Sequence, residues 1–363
     1  MHAALWVTSL NNPTSINSEN DPLTGEEGWS VAESFVAGLG PLSSLFTAAI
    51  RAVRSAPMIL HTDDSDRIRK FSVEAVNFPV KVSPTFKAAL YALAEEIDEP
   101  ALALAMPLTQ SKLLGLFSPD EMIAVIALTY MYRLMRRRCD ESEWDRVMPK
   151  MNTHMKIGYH VGKVLDGVGS GHGMLIGGMR YIALSILLNS DIKAFKELRR
   201  KVESKGGLFD LSEESARWGC NHMQVASCLV SSLGYGVAPR LAFGMSPRSK
   251  IFAPIQAAIA ESQEEINAWR LAIDYTESLH AFGKAPDYVQ DGSNNYIQVD
   301  VSEKLEKKIS GFVAKGASFQ WINRGVEQVP QHVRDQLAIK LKKEPGGEKS
   351  SQGAIESDDG DKA

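Results

Sequence analysis

The sequence is poor in the features that announce most chemistries. Cysteine is scarce: Cys139, Cys220 and Cys228 are the three in 363 residues, and none stands in a C-x-x-C pair. An odd count without regular spacing argues against a disulfide framework or a thiolate zinc site. It suits reduced thiols in a cytosol, packed as small hydrophobes.

Charge of one sign is also missing. The net charge is −4, and the tail from Glu344 to Ala363 accounts for it with six acids and two lysines. The remainder is near neutral, so no bulk basic field draws in nucleic acid or an anionic membrane. Long apolar runs are lacking as well. Gly173–Leu188 is the strongest, sixteen residues with the single charge Arg180, shorter than the roughly 20 residues of a comfortable bilayer span. The N-terminal MHAALWVTSLNNP has no basic start and no apolar h-region, so no signal peptide is expected. These absences lead to a cytoplasmic expectation.

Motifs for phosphate cradling and nucleophilic catalysis are wanting. GVGSGHGM, residues 167–174, has glycines but no G-K-[ST] and no strand before it. It reads as an interhelical loop, with His172 exposed. There is no G-x-S-x-G, and no cysteine has a nucleophile's local signature.

What is present is helical patterning. The chain is 44% hydrophobic and 23% charged, an ordinary globular balance with enough core for one large or two ordinary domains. Residues 1–28 are read as a polar leader. In residues 29–82, helical spacing over Trp29–Arg54 gives way to Phe71–Val82 (FSVEAVNFPVKV), a short strand or extended link in which Pro79 argues against a central strand. From Ser83 the pattern is wholly helical. Ser83-Pro84 and Ser118-Pro119-Asp120-Glu121 are start signals: a cap, a proline that needs no donor, and in the second case acids against the helix dipole. The Arg136–Arg138 run reads as a solvated last turn. A Met-rich stripe covers Glu141–Leu165, and Gly173–Leu188 is expected to be the buried central helix. The segment Ile192–Lys205 follows as a charged amphipathic helix. A next helix is capped by Ser212, and another by Asn221 after a break at Gly219. The segment Ile255–Phe282 completes the main domain, 83–283. Residues 284–343 are read as an extension with helices over Val301–Val313 and Val329–Lys342. Residues 344–363 are an acidic tail, disordered by composition.

Two segments carry a resemblance. LIGGMRYIAL (175–184) and EESARWGCNHMQVASCLV (213–230) stand in the order of the apolar G-L-L-H-D-I-G helix and the E…G-x-D-H-x-x-V-G-A-x-L run of HDOD domains. The chain thus resembles the HDOD family, degenerate relatives of HD metal-dependent phosphohydrolases. The resemblance implies an all-α, HD-like fold. It puts His154 at the first-ligand position, Arg180-Tyr181 where the His-Asp pair stands, and Asp274 near the last carboxylate position, with His222 in the downstream run. It departs from the pattern again at Ala226-Ser227, where the family has Gly-Ala. FGMSPRSK (243–250) lacks the paired histidine of the HD-GYP enzymes.

Arginine and tyrosine do not replace those ligands, and a guanidinium repels a cation. No catalytic residue, metal or cofactor is expected, and His154 and His222 read as satisfied core or cap histidines. The implied function is a non-enzymatic signal-transduction module of bacterial type, acting through a protein partner or a small ligand. One version is a sensor whose vestigial pocket (His154, Arg180, Tyr181, His222, Asp274) holds a phosphorylated ligand against Arg180. The alternative is a diverged phosphohydrolase acting on a nucleotide or cyclic dinucleotide. Since a buried guanidinium cannot shed its proton, Arg180 is expected to reach a carboxylate such as Asp274 or Glu214, a helix-end carbonyl or an anion.

Overall fold

Helix boundaries follow small polar caps and prolines. The computed structural model describes residues 26–244, 256–286, 299–315 and 319–340, and among them every regular element is helical. In chain order these are α1 (Glu26–Ala37), α2 (Ser44–Arg54), α3 (Ala56–Leu60), α4 (Ser65–Val82), α5 (Pro84–Ile97), α6 (Glu99–Leu104), α7 (Gln110–Leu114), α8 (Pro119–Arg136) and α9 (Glu141–Val164). There follow α10 (Ser170–Ser190), α11 (Ile192–Ser204), α12 (Leu211–Trp218), α13 (His222–Leu233), α14 (Val237–Gly244), α15 (Gln256–Phe282), α16 (Val299–Lys315) and α17 (Gln331–Gln336).

Three of the four expected caps are in place. The Ser83 hydroxyl accepts from Phe86 N at 3.3 Å. Ser118 and Glu121 form a reciprocal capping box, as do Asn221 and Gln224. Gly219 and Gly234 close their helices at positive φ. Helix α12 is capped by Asp210, not Ser212: its carboxylate accepts from Glu213 N at 3.1 Å.

The core is organised around α10. Every residue from Gly171 to Leu188 is buried, and α8, α9, α11, α13 and α15 pack around it. Among the described residues this is the one helix long and apolar enough to cross a membrane, and its apolar window lies wholly inside the protein. Its tightest neighbour is α9, where glycines face glycines. A methyl group on Gly158 would overlap the Gly173 carbonyl, and one on Gly177 would overlap that of His154. Here the glycines let two backbones touch. The start of α10 is tied to the first turn of α8, with Gly171 N donating to Asp120 Oδ2 at 2.7 Å and Ser170 Oγ to Glu121 Oε1 at 2.8 Å.

Four further expectations need correction. Phe71–Val82 is the C-terminal two thirds of α4, neither strand nor link. Its buried positions, Ser72, Val76, Pro79 and Val80, have helical spacing. Pro79 sits in the last turn, where it removes a single helical hydrogen bond while its ring is buried. The Asp64 carboxylate caps this helix, accepting from Asp66 N at 3.0 Å. His172 is buried rather than exposed, because the helix begins at Ser170 and His172 lies in its first turn. Val329–Lys342 is not one helix: the six-residue α17 follows two 3-10 turns, Trp321–Asn323 and Val326–Gln328. Finally, Glu26–Gly28 open α1 instead of ending a leader. The expectations for residues 1–25, 245–255, 287–298 and 341–363 lie outside the described residues.

The C-terminal segment joins the core. Trp321, Val333 and Leu337 are buried in the same apolar cluster as α5 and α8. Gln320 N donates to Glu96 Oε2 at 3.0 Å, and the buried Lys87 ammonium donates to Leu337 O at 2.7 Å.

Candidate functional site around Arg180

Arg180 lies midway along the most buried helix with 2% of its surface exposed. A charge there needs partners, and α13 and α15 supply them. Arg180 Nη1 donates to Glu277 Oε2 at 2.7 Å. Nε and Nη2 both reach His222 Nε2, at 3.3 and 3.2 Å. The guanidinium also stacks over Phe209, its Cζ 4.2 Å from the ring centroid.

These contacts determine the His222 tautomer. A guanidinium can only donate, so His222 Nε2 accepts and Nδ1 carries the proton. That proton goes to Glu214 Oε2 at 2.7 Å, and the same oxygen accepts His222 N at 2.8 Å. Glu214 and His222 are fully buried. The Asn221 cap places His222 at the first position of α13, and Asp210 places Glu214 in the first turn of α12. The chain Glu277–Arg180–His222–Glu214 therefore links α15, α10, α13 and α12.

His154, on α9, is a second branch. Its Nδ1 lies 2.8 Å from Nδ1 of His280 on α15. One ring must donate and the other accept, so both cannot be protonated at these nitrogens. Burial, then the charges of His280 and Arg180, hold His154 well below its ordinary range. Burial and Arg180 push His280 down to about 4. The His154 ring packs edge-on against Tyr181, centroids 5.5 Å apart. Burial raises the Tyr181 phenol, which stays a neutral donor. Burial works to raise Glu277, but the adjoining Arg180 guanidinium prevails and holds its carboxyl below the ordinary value.

Four of the five residues singled out in the sequence, His154, Arg180, Tyr181 and His222, thus meet in one region. The carboxylate that meets Arg180 Nη1 is Glu277, however, and Asp274 lies one turn earlier on the same helix, partly buried. Sequence reasoning missed Glu277 and His280. The available signal was spacing: Asp274, Glu277 and His280 recur every three residues, about one helical turn apart, along α15. Glu214 was named as an acceptor for Arg180 and reaches it only through His222.

The residues do not fit the metal that the HD pattern implies. The His222 Nε2 lone pair is taken by Arg180, and the fixed positive charge of the guanidinium beside it repels a cation. Among the described residues no group of three or more His, Cys, Asp or Glu side chains is placed to hold a metal ion. The thiols of Cys139 and Cys220 are pushed up to about 12, and that of Cys228 to about 11, chiefly by burial, which disfavours the thiolate.

No family model, curated protein or solved structure matches the chain.

Proposed function

We propose that the chain is a non-enzymatic regulatory protein of bacterial signal transduction, built on an HDOD-like helical domain, that acts by binding a protein partner or a small ligand. The observation that carries this reading is the contact of Arg180 with His222 Nε2. By the HDOD resemblance, the centre that would hold catalytic metal holds a fixed organic cation instead. Its charge is balanced by Glu277 on one side and, through His222, by Glu214 on the other. Such a network joins four helices, α10, α12, α13 and α15. The version in which Arg180 grips a phosphorylated ligand is weaker, because Glu277, His222 and Phe209 already engage the guanidinium.

The test is metal analysis of the purified full chain after incubation with Mn, Fe and Mg, alongside hydrolysis of cyclic dinucleotides and bis(p-nitrophenyl) phosphate. The expected result is sub-stoichiometric metal and no turnover above background. Stoichiometric metal together with phosphodiesterase turnover would establish the diverged phosphohydrolase in its place.

A further inference from the structure

Helix α4 carries a second apolar stripe besides the one it gives to the core. Its inner face, with Ser72, Val76, Pro79 and Val80, is buried. Roughly a third of a turn round the helix run Ile68, Phe71, Ala75, Phe78 and Val82. Their spacing alternates between three and four residues, the a/d pattern of a helix that packs along a partner helix. Ile68, Phe71 and Ala75 are half-buried, while Phe78 and Val82 are 59% and 50% exposed. Single exposed apolar residues are ordinary on a protein surface. A regular row of them on one helix is a seam.

The two flanks of the seam differ. On one side stand Ser72 and Pro79, already committed to the core. On the other is an exposed row at seven-residue intervals, Arg67, Glu74 and Lys81, whose charges run plus, minus, plus. Glu74 and Lys81 are roughly 10 Å apart along the axis, too far to pair with each other. Lys70 and Asn77 lie beyond this row, farther round the helix from the seam.

We propose that this face pairs with the same face of a second copy of the chain, the two α4 helices running antiparallel about a two-fold axis between Val76 and Asn77. A two-fold contact uses one patch twice, so the face must complement itself. It does so in size and in charge. Residues mirrored across the axis meet, which sets Phe78 against the partner's Ala75 and Phe71 against the partner's Val82. A large side chain faces a smaller one at each level, as interdigitated packing requires. On the flank, Glu74 stands opposite the partner's Lys81, and Lys81 opposite the partner's Glu74. A parallel pair has neither property: it sets Phe78 on the partner's Phe78 and turns the charged row toward the uncharged, core-bound flank. The paired stretch is about three turns long, so the contact belongs at the small end of specific interfaces, below roughly 1,200 Å². The dimer is therefore reversible and concentration-dependent. It goes beyond the regulatory reading and stands or falls independently of it.

The test is sedimentation equilibrium of the full chain over a concentration series, where a reversible monomer–dimer equilibrium is expected. Phe78→Asp, at an exposed position, should keep the fold by circular dichroism and thermal melting. It should abolish association, because each copy would press a carboxylate into an apolar contact. Glu74→Lys and Lys81→Glu should each weaken the dimer about tenfold, since symmetry turns two attractive pairs into two repulsive ones. Glu74→Lys combined with Lys81→Glu should return to within about threefold of the native constant, because both pairs are restored with their signs exchanged. A monomer at every concentration would overturn the proposal and leave the face to another segment of this chain or to a different partner. A dimer that survives Phe78→Asp would overturn it by placing the second copy elsewhere. A dimer indifferent to the single charge reversals, or not restored by the double one, would overturn the antiparallel arrangement. None of these outcomes bears on the metal and turnover test.

Discussion

Arg180 and His222 meet as donor and acceptor, with Nε and Nη2 of the guanidinium at 3.3 and 3.2 Å from one imidazole nitrogen. This contact ties the centre of α10 to the first turn of α13. It also fixes which side of the ring faces Glu214, so the pair passes charge compensation from a half-exposed carboxylate, Glu277, to a fully buried one.

Removing the cation should therefore cost more than removing its exposed partner. Arg180→Met leaves the buried Glu214 carboxylate without a compensating charge, and breaking one side of a buried ionic network costs about 3–5 kcal/mol. Glu277→Gln loses a pair in which the carboxylate is 42% exposed, and solvent screening limits that to about 1 kcal/mol. Urea denaturation of the two variants should give this order. Arg180→Met in a Glu214→Gln background should recover much of the loss; equal effects of the single variants, or no recovery, would contradict the network.

The contact of α9 with α10 should be intolerant of a single methyl group. Gly158→Ala drives Cβ into the backbone carbonyl of Gly173, which cannot rotate away as a side chain would. The expected loss is at least about 3 kcal/mol, the upper range for overpacking. Gly311→Ala is the control: nothing lies within 4 Å of its added Cβ. There the gain in helix propensity should stabilise by about 0.5–1 kcal/mol. Thermal melts of both variants check the contrast.

Stability should fall on mild acidification. His160, His172 and His280 are pushed down to about 4 and His154 well below its ordinary value, in each case chiefly by burial. The unfolded chain binds protons at these histidines near their ordinary 6.5. Between about 6.5 and about 4 the unfolded state therefore holds more protons, and stability declines as pH drops through that window. Glu96 acts in the opposite sense. Burial raises it from 4.5 to about 7, so its contribution is full below 4.5 and is lost as pH rises to about 7. Four histidines outweigh one carboxylate, and the melting temperature should drop steadily from pH 6.5 to pH 5. A flat profile would refute the neutral, buried state of the histidine pair.

The C-terminal segment should be needed for stability. A chain ended at Lys315 loses the burial of Trp321, Ile322, Val333 and Leu337, at roughly 1.5–3 kcal/mol per large apolar side chain. It also strips the Lys87 ammonium of its carbonyl acceptor. Adding Lys87→Met to the shortened chain should restore part of the loss. A shortened chain with an unchanged melting temperature would sink the prediction.

The sequence by itself determined what local physics controls. Caps at Ser83, Ser118 and Asn221 were legible because a side-chain oxygen and the donors it satisfies lie within three residues of each other. The burial of α10 was legible because no face of it is polar. The all-helical character followed from the same periodicity. Where local signals conflicted, tertiary structure decided. The weak alternation and the proline of Phe71–Val82 suggested an extended segment, yet packing of Ser72, Val76 and Val80 against the core made it helix. The glycine-rich 167–174 suggested an open loop, yet docking on Asp120 and Glu121 wound most of it into α10. The centre shows the same division. A buried arginine needs an anion, and that much follows from charge and burial alone. That the anion is Glu277 rather than Asp274, that His222 stands between Arg180 and Glu214, and that His280 pairs with His154 depend on how α12, α13 and α15 are rotated about their axes. Rotation is set by contacts between residues far apart in the chain, and no spacing within one helix encodes it.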